Sequence, residues 1–255
     1  MVMIYLFHII IGVNKMLGDE FDKEVEDLIN NFSNTSKTFD EKGNKDWTNK
    51  IITTMEGKPL LMIHRFKEEY LKLPLDEYVL VFDDGLYNHY LWFRKIRAKF
   101  PRVKMIFAVS TNIIANGWDI QDDMESPEAH ELYFKHQSKI GFMNMNQIEE
   151  ISNSRNCFIA VHGHNHMNLD TTRKTLGLLN YFQEVQKEYI GMFDVAMNWI
   201  YQGIIRSKLM FVLPYNQYEA ISIASIRNVQ SNYDPAAGLV LIGPGRIDIE
   251  TLKGI

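Results

Sequence analysis

Cysteine is nearly absent from this 255-residue chain, and the one residue of this type, Cys157, lies in a run of apolar residues. A single cysteine excludes a disulfide framework and any zinc module built from several thiolates. Any metal ion must therefore be held by histidine and carboxylate side chains. We interpret Cys157 as a buried apolar residue of a strand rather than as a nucleophile or a ligand.

The chain also lacks an excess of basic residues and a long apolar run. It has 27 Lys and Arg against 32 Asp and Glu, a net charge of −5, so we expect no nucleic-acid partner. The only strongly apolar stretch of any length, residues 1–13, is shorter than the roughly 20 residues that span a bilayer. It has neither an early Lys or Arg nor a small-residue cleavage site. We interpret it as a buried strand and expect no stable membrane insertion.

Two regions differ in pattern. Residues 1–59 combine the apolar run, a short helical periodicity and a polar loop near residues 33–50, and we interpret them as an appendage that could be packed on the main domain. Residues 60–255 form the predicted main domain. Its strands are predicted at 78–82, 103–109, 157–161, 208–213 and 238–242, its helices at 86–100, 145–153, 176–202 and 218–224, and irregular chain at 110–144.

Strands separated by helices predict an α/β fold with a parallel sheet or a (β/α) barrel. In such folds the chemistry lies at the carboxyl ends of the strands. The polar residues that follow each predicted strand are therefore the candidates for function.

Two adjacent carboxylates, Asp83 and Asp84, follow the first of these strands and precede Gly85. Such a pair can supply a metal ligand and a general base. The alternative is an Asp-Asp-Gly turn that only caps the next helix.

Three of the eight histidines, His162, His164 and His166, follow the third of these strands. The i, i+4 spacing of His162 and His166 predicts that both lie on one side of a helical turn, close enough to share a cation. The alternative is a solvated polar loop, and we expect His164 to be structural or exposed. Two His and one Asp would leave open positions on an ion, as catalytic sites do.

Later strand ends offer weaker candidates. Pro214 fixes the chain direction, so the backbone N–H of Tyr215 could be aimed at a reacting centre, although the pattern is equally that of a plain turn. Arg246 could pair with a catalytic carboxylate or with substrate, or form a surface ion pair. Trp118, in the acidic stretch of 110–144, is a candidate for stacking on a sugar ring.

Four segments together resemble the polysaccharide deacetylase family, carbohydrate esterase family 4. They are VFDDG (81–85), HGHNH (162–166) in place of H-[ST]-x-x-H, FVLPYN (211–216) and GRIDIE (245–250). The resemblance extends from about residue 60 to the C-terminus. Within the family, the sequence is most similar to a subgroup from tailed phages and surface-polysaccharide gene clusters. It implies a distorted (β/α) barrel that uses a divalent metal, most often Zn²⁺ with Co²⁺, Ni²⁺ or Mn²⁺ as options, to remove acetyl groups from N-acetylglucosamine-type glycans.

The same resemblance implies roles for individual residues. Asp84, His162 and His166 would bind the metal, and Asp83 would be the general base. The N–H of Tyr215 would help to form the oxyanion hole, and Pro214 would line the substrate site with it.

Two departures from the family pattern leave the function open. Val212 or Leu213 stands where the family has an arginine before Pro-Tyr, and no histidine follows His166, so the general acid is unassigned. The alternatives are a degenerate carbohydrate-binding protein that kept the metal pocket and a different metal-dependent hydrolase of amides or phosphoesters. We expect a glycan partner and a cytoplasmic or virion-associated rather than secreted protein; the sequence does not indicate the oligomeric state.

Overall fold

The structure, a computed structural model, describes residues 51–217, 225–226, 229 and 239–254. The predicted N-terminal strand, the helix and loop before residue 50 and the helix at 218–224 lie outside the described residues. Within these ranges nine strands form one sheet: β1 (Ile51–Ile52), β2 (Thr54–Met55), β3 (Lys58–Ile63), β4 (Val79–Phe82), β5 (Lys104–Val109), β6 (Cys157–Val161), β7 (Leu209–Val212), β8 (Leu239–Ile242) and β9 (Ile247–Asp248).

The sheet is parallel except for the β2–β3 hairpin, and it is curled into a distorted (β/α) barrel. Its strand order is β1-β8-β7-β6-β5-β4-β3-β2, and β9 also pairs with β3. Only residues 243–246 join β8, near one end of this order, to β9 at the other end. Because so short a link spans at most about 18 Å, the sheet has to curl until its two ends approach each other.

The alternating side chains of the strands build two separate cores. One face contributes small aliphatic residues, among them Val79, Val81, Ile106 and Ala108, which fill the concave side of the barrel. The other face contributes larger residues such as Phe82, which pack under the helices. Both faces are buried, which explains why the strands are continuous apolar runs in the sequence.

Among the described residues, five α-helices lie between the strands: α1 (Tyr87–Lys99), α2 (Ser126–His136), α3 (Met145–Asn153), α4 (Leu169–Thr175) and α5 (Leu178–Tyr201). The predicted strands and the helices α1, α3 and α5 are confirmed within a few residues. The expectation of irregular chain throughout 110–144 was wrong, because α2 lies there. No helix in the described part of the chain is long and apolar enough to cross a membrane.

Helix α2 is held in place by a third, smaller hydrophobic cluster. Ala129 and Tyr133 of this helix pack with Leu86, Ile113 and Phe142, away from the two main cores. A side chain at Gly141 would collide with Ala129, since a Cβ built there lies 2.7 Å from the Ala129 Cβ. The missing side chain therefore lets the helix approach the carboxyl end of β4.

A buried histidine of α1 packs against β4, and we expect it to make the stability of the fold depend on pH. His89 is fully buried, its ring packs 5.1 Å from that of Phe82, and its Nε2 lies 2.8 Å from the backbone oxygen of His64. Burial lowers the pKa of His89 to about 4. In the unfolded chain the pKa is about 6.5, so the unfolded state takes up a proton first as the pH falls.

We therefore expect the free energy of unfolding to fall between pH 6.5 and pH 4, with up to about 3 kcal/mol of the loss due to His89. Chemical denaturation of the metal-free protein across this range measures it. In His89→Gln, whose amide can still donate to the His64 oxygen, the dependence on pH should become shallower. His136→Gln, at an exposed position, is the control. An unchanged slope in His89→Gln would contradict this assignment.

Candidate metal centre

The carboxylate of Asp84 lies at the centre of a buried cluster at the carboxyl ends of β4 and β6. Its Oδ1 is 3.2 Å from Nε2 of His162 and 3.0 Å from Nε2 of His166, and all three side chains are at most 5% exposed. Burial would raise the pKa of Asp84, but the hydrogen bonds from the two imidazoles outweigh it and hold the pKa well below its usual value. The parallel sheet thus brings the predicted ligands together.

The backbone around this carboxylate is held in an uncommon conformation. Asp84 has φ 77° and Gly85 has φ 73°, two consecutive residues in the left-handed region. Asp tolerates this region better than most residues, and Gly tolerates it freely. The reversal directly after β4 lets Asp84 face the histidines instead of continuing the strand.

The loop that carries the histidines differs from the predicted helical turn. Residues 162–168 form a bent loop between β6 and α4, and His166 has φ 57°. The prediction of one helical face was therefore wrong, although the two residues that it grouped do lie side by side. The reversal at His166 turns its ring back toward His162, with 4.9 Å between the ring centroids.

The donor atoms suit a divalent ion. One ligand atom from each of Asp84, His162 and His166 lies within 4.8 Å of the others. Ligands about 2.1 Å from a tetrahedral ion lie roughly 3.4 Å apart, close to the observed spacing. His162 Nδ1 donates to the Val212 backbone oxygen at 2.7 Å, which directs Nε2 toward the ion position, as is usual for metal-ligating histidine.

The carboxylates around His162 favour the protonated form of its ring. Burial lowers the pKa of His162, but the hydrogen bond to Asp84 and the charges of Asp83 and Asp84 outweigh it, so that its pKa is raised. Nε2 of His162 and Oδ1 of Asp84 lie at the position that an ion would share, so a metal ion has to replace this hydrogen bond. Metal uptake at such a site has to release protons.

Asp83 points to a different partner. Nη1 and Nη2 of Arg246 donate to its two oxygens at 2.6 and 2.8 Å, and Nη2 also donates to Oδ1 of Asn216 at 2.7 Å. The Asp83 and Arg246 side chains are at most 3% exposed, so this is a buried pair and not the surface ion pair considered from the sequence. Arg246 fixes the second carboxylate beside the metal cluster.

The Pro-Tyr turn lies against the same cluster. Pro214–Asn216 forms a short turn after β7, and Tyr215 adopts φ 54°. Its ring lies 4.6 Å from that of His166, and the residue is 49% exposed. In the hydrogen bonds described for this turn, the N–H of Tyr215 is unused, whereas Asn216 N donates to the Leu213 oxygen.

Trp118 is not brought to the cluster by any described contact. It is 86% exposed, in the loop before α2, and its role in binding a sugar stays a prediction. His164 is half-buried, and its Nδ1 lies 2.8 Å from Oγ1 of Thr111. It is therefore placed as a structural residue and not as a ligand.

Helix α2 contributes two residues that the sequence analysis missed. Ser126 Oγ donates to Asp84 Oδ2 at 2.6 Å, and the His130 ring stacks on that of His166 with 4.3 Å between centroids. Burial lowers the pKa of His130 to about 4, so its ring is neutral near pH 7. The sequence shows the i, i+4 spacing of Ser126 and His130, but this spacing indicates a role at the site only once α2 is known to face the cluster.

Comparisons with known proteins found no matching family model and no matching curated protein. Solved structures do match over most of the chain. IcaB from Ammonifex degensii is 14% identical with a TM-score of 0.45, over 75% of this chain and 94% of that one. The Streptococcus pyogenes deacetylase PplD is 14% identical with a TM-score of 0.44, over 76% and 96%. BC0361, a polysaccharide deacetylase from Bacillus cereus, is 10% identical with a TM-score of 0.46, over 75% and 64%. These are distant likenesses of fold.

Removing the hydroxyl that supports Asp84 should weaken metal binding. We expect Ser126→Ala to lower the affinity for Zn²⁺ about tenfold, the lower range for residues that orient a ligand, because Asp84 Oδ2 loses its donor. Competition with a chromophoric chelator measures this. Ser154→Ala, which deletes a hydroxyl bonded only to the Glu150 backbone oxygen, is the matched control. Equal affinities of the two variants would contradict the role of Ser126.

Proposed function

We propose that this protein is a metal-dependent hydrolase that removes acetyl groups from a glycan, with N-acetylglucosamine-type units as the substrate. The observation that carries the proposal is the placement of Asp83, held by Arg246, directly beside the Asp84–His162–His166 cluster. A structural metal site has no need of a second fixed carboxylate. Three protein ligands also leave positions on the ion for water and substrate, as in catalytic zinc sites.

The donor set favours Zn²⁺, since two imidazoles and one carboxylate match the ligands that zinc takes in hydrolases. When bound, the ion would polarise the acetyl carbonyl and lower the pKa of a coordinated water. Asp84, His162 and His166 would hold it. Their buried setting excludes bulk water and strengthens the electrostatic interactions made there.

Asp83 would take the proton of the attacking water. Its two oxygens face Arg246, which leaves each oxygen further lone pairs and fixes the plane of the carboxylate. A base held in this way loses little conformational freedom when the substrate arrives. The role of Arg246 is therefore to position Asp83, and the arginine comes from the C-terminal segment instead of the residues before Pro-Tyr.

Tyr215 would serve the substrate in two ways. Its unused N–H could donate to the developing oxyanion, an interaction worth about 3 kcal/mol in comparable sites. Its half-exposed ring, beside His166, offers a face for a sugar, and Pro214 fixes the direction of the turn.

The leaving amine also requires a proton. Because no histidine follows His166, the simplest donor is Asp83 itself, which would return the proton it took from water. The same gap in the sequence favours a second candidate function, a carbohydrate-binding protein that retains the metal pocket without turnover. Release of acetate separates the two candidates.

Replacing the proposed base should separate metal binding from turnover. In Asp83→Asn we expect acetate release from acetylated chitooligosaccharides to fall by at least about 10²-fold, since general base catalysis contributes on that scale. Bound Zn²⁺, measured by elemental analysis, should stay at the parent level because Asp83 is not one of the three residues that would hold the ion.

His166→Ala is the complementary variant, and it should lose the ion as well as the activity. Near-normal turnover in Asp83→Asn would contradict the assignment of the base. Zinc binding by the parent without acetate release from any acetylated glycan would favour the binding protein.

A further inference from the structure

A buried carboxylate outside the metal cluster contacts the loop of residues 162–168, which carries the histidines, from the side of α5. Glu188 lies in α5 and is 3% exposed. Its Oε1 accepts the backbone N–H groups of His164 and Asn165, both at 2.8 Å, and that of Met167 at 3.4 Å. Its Oε2 accepts the side-chain amide of Asn165 at 3.1 Å.

The opposite side of the loop is held by the end of β5. The backbone N–H of Thr111 donates to the Gly163 oxygen at 3.0 Å, and that of Asn112 donates to the His164 oxygen at 2.9 Å. The Ser110 hydroxyl donates to the His162 oxygen at 3.0 Å. The carbonyl groups of residues 162–164 therefore face the end of β5, while the N–H groups of His164, Asn165 and Met167 converge on a single carboxylate.

Two glycines show how closely the loop fits onto α5. A Cβ at Gly163 would lie 2.8 Å from Glu188 Oε1 and would displace that carboxylate, and the φ of 79° would be strained for the Ser or Thr of the resembled motif. A Cβ at Gly191, one turn after Glu188, would lie 2.7 Å from the His164 ring. The helix thus presents one face, Glu188 and Gly191, that receives the loop.

We propose that Glu188 is a positioning residue for the metal centre, which gathers the N–H groups of the 164–167 turn and so fixes the direction of His166 relative to His162 and Asp84. The inference rests on the proposed metal-dependent function. Its physical basis is that three backbone N–H groups of the half-buried turn share one buried carboxylate as their acceptor. Without the carboxylate, the turn that contains His166 would lose these three hydrogen bonds and keep only those on the side of β5.

The test compares metal binding by the purified 255-residue chain with metal binding by variants of α5. Glu188→Ala should lower the Co²⁺ affinity by about 10- to 100-fold and change the visible absorption bands of the bound Co²⁺, because ligand geometry changes. Glu188→Gln, which keeps one oxygen acceptor, should recover part of the affinity. Glu184→Gln, which removes only an ion pair with exposed Lys187, is the matched control and should behave as the parent.

A second variant keeps the test open if Glu188→Ala does not fold. Gly191→Ala raises the helix propensity of α5 but places a Cβ against the His164 ring, so the loop has to shift; Co²⁺ affinity should fall and the spectrum should change. If folded Glu188→Ala, or Gly191→Ala, binds Co²⁺ with the affinity and the absorption spectrum of the parent, the proposal for Glu188 is wrong, although the metal centre itself is not contradicted. A parent chain that binds no ion would instead contradict the proposed function.

Discussion

The contact between the buried carboxylate of Asp84 and the imidazoles of His162 and His166 is the interaction on which the rest of the site depends. A carboxylate taken out of water is costly unless it is paired and hydrogen-bonded. Here the two Nε2 atoms and the Ser126 hydroxyl supply those partners. Without them, a charge this deeply buried at a strand end would destabilise the barrel.

Each element around the cluster restricts the direction of one ligand. The reversal after β4 turns Asp84 inward, the Val212 oxygen orients His162, and α2 covers His166 with the His130 ring. The loop that joins the histidines lies between the end of β5 and Glu188 of α5. These contacts come from segments far apart in the chain, so the site exists only in the folded barrel.

Closure of the barrel and placement of the second carboxylate are linked through one segment. Residues 243–246 join β8 to β9 and thereby bring the two ends of the sheet together. Arg246, the last residue of that link, reaches back to Asp83 at the end of β4. The same short connection therefore curls the sheet and fixes the proposed base.

The strands and the ligand set were predictable because both follow from local pattern. Buried parallel strands are continuous apolar runs, and the polar residues directly after them meet at one edge. Asp84, His162 and His166 could therefore be grouped without coordinates. The helical turn predicted from their spacing was wrong because the loop makes tertiary hydrogen bonds to Glu188 and to the end of β5 and follows a bent path instead.

The supporting residues could not be found in this way. Ser126 and His130 lie on a helix whose packing against Ile113 and Phe142 has no long periodic pattern in the sequence. Glu188 is one of several carboxylates on an amphipathic helix, and only the fold shows that it is buried beneath a loop. Such roles depend on contacts between distant segments, which spacing along the chain does not reveal.

The most direct test of the central claim is a crystal structure of the zinc-loaded protein with anomalous diffraction recorded at the zinc edge. The account predicts one strong peak bonded to Asp84, His162 and His166, with Asp83 nearby but not coordinated and at least one position left to water. A peak at another place, or an ion closed off by a fourth protein ligand, would contradict it.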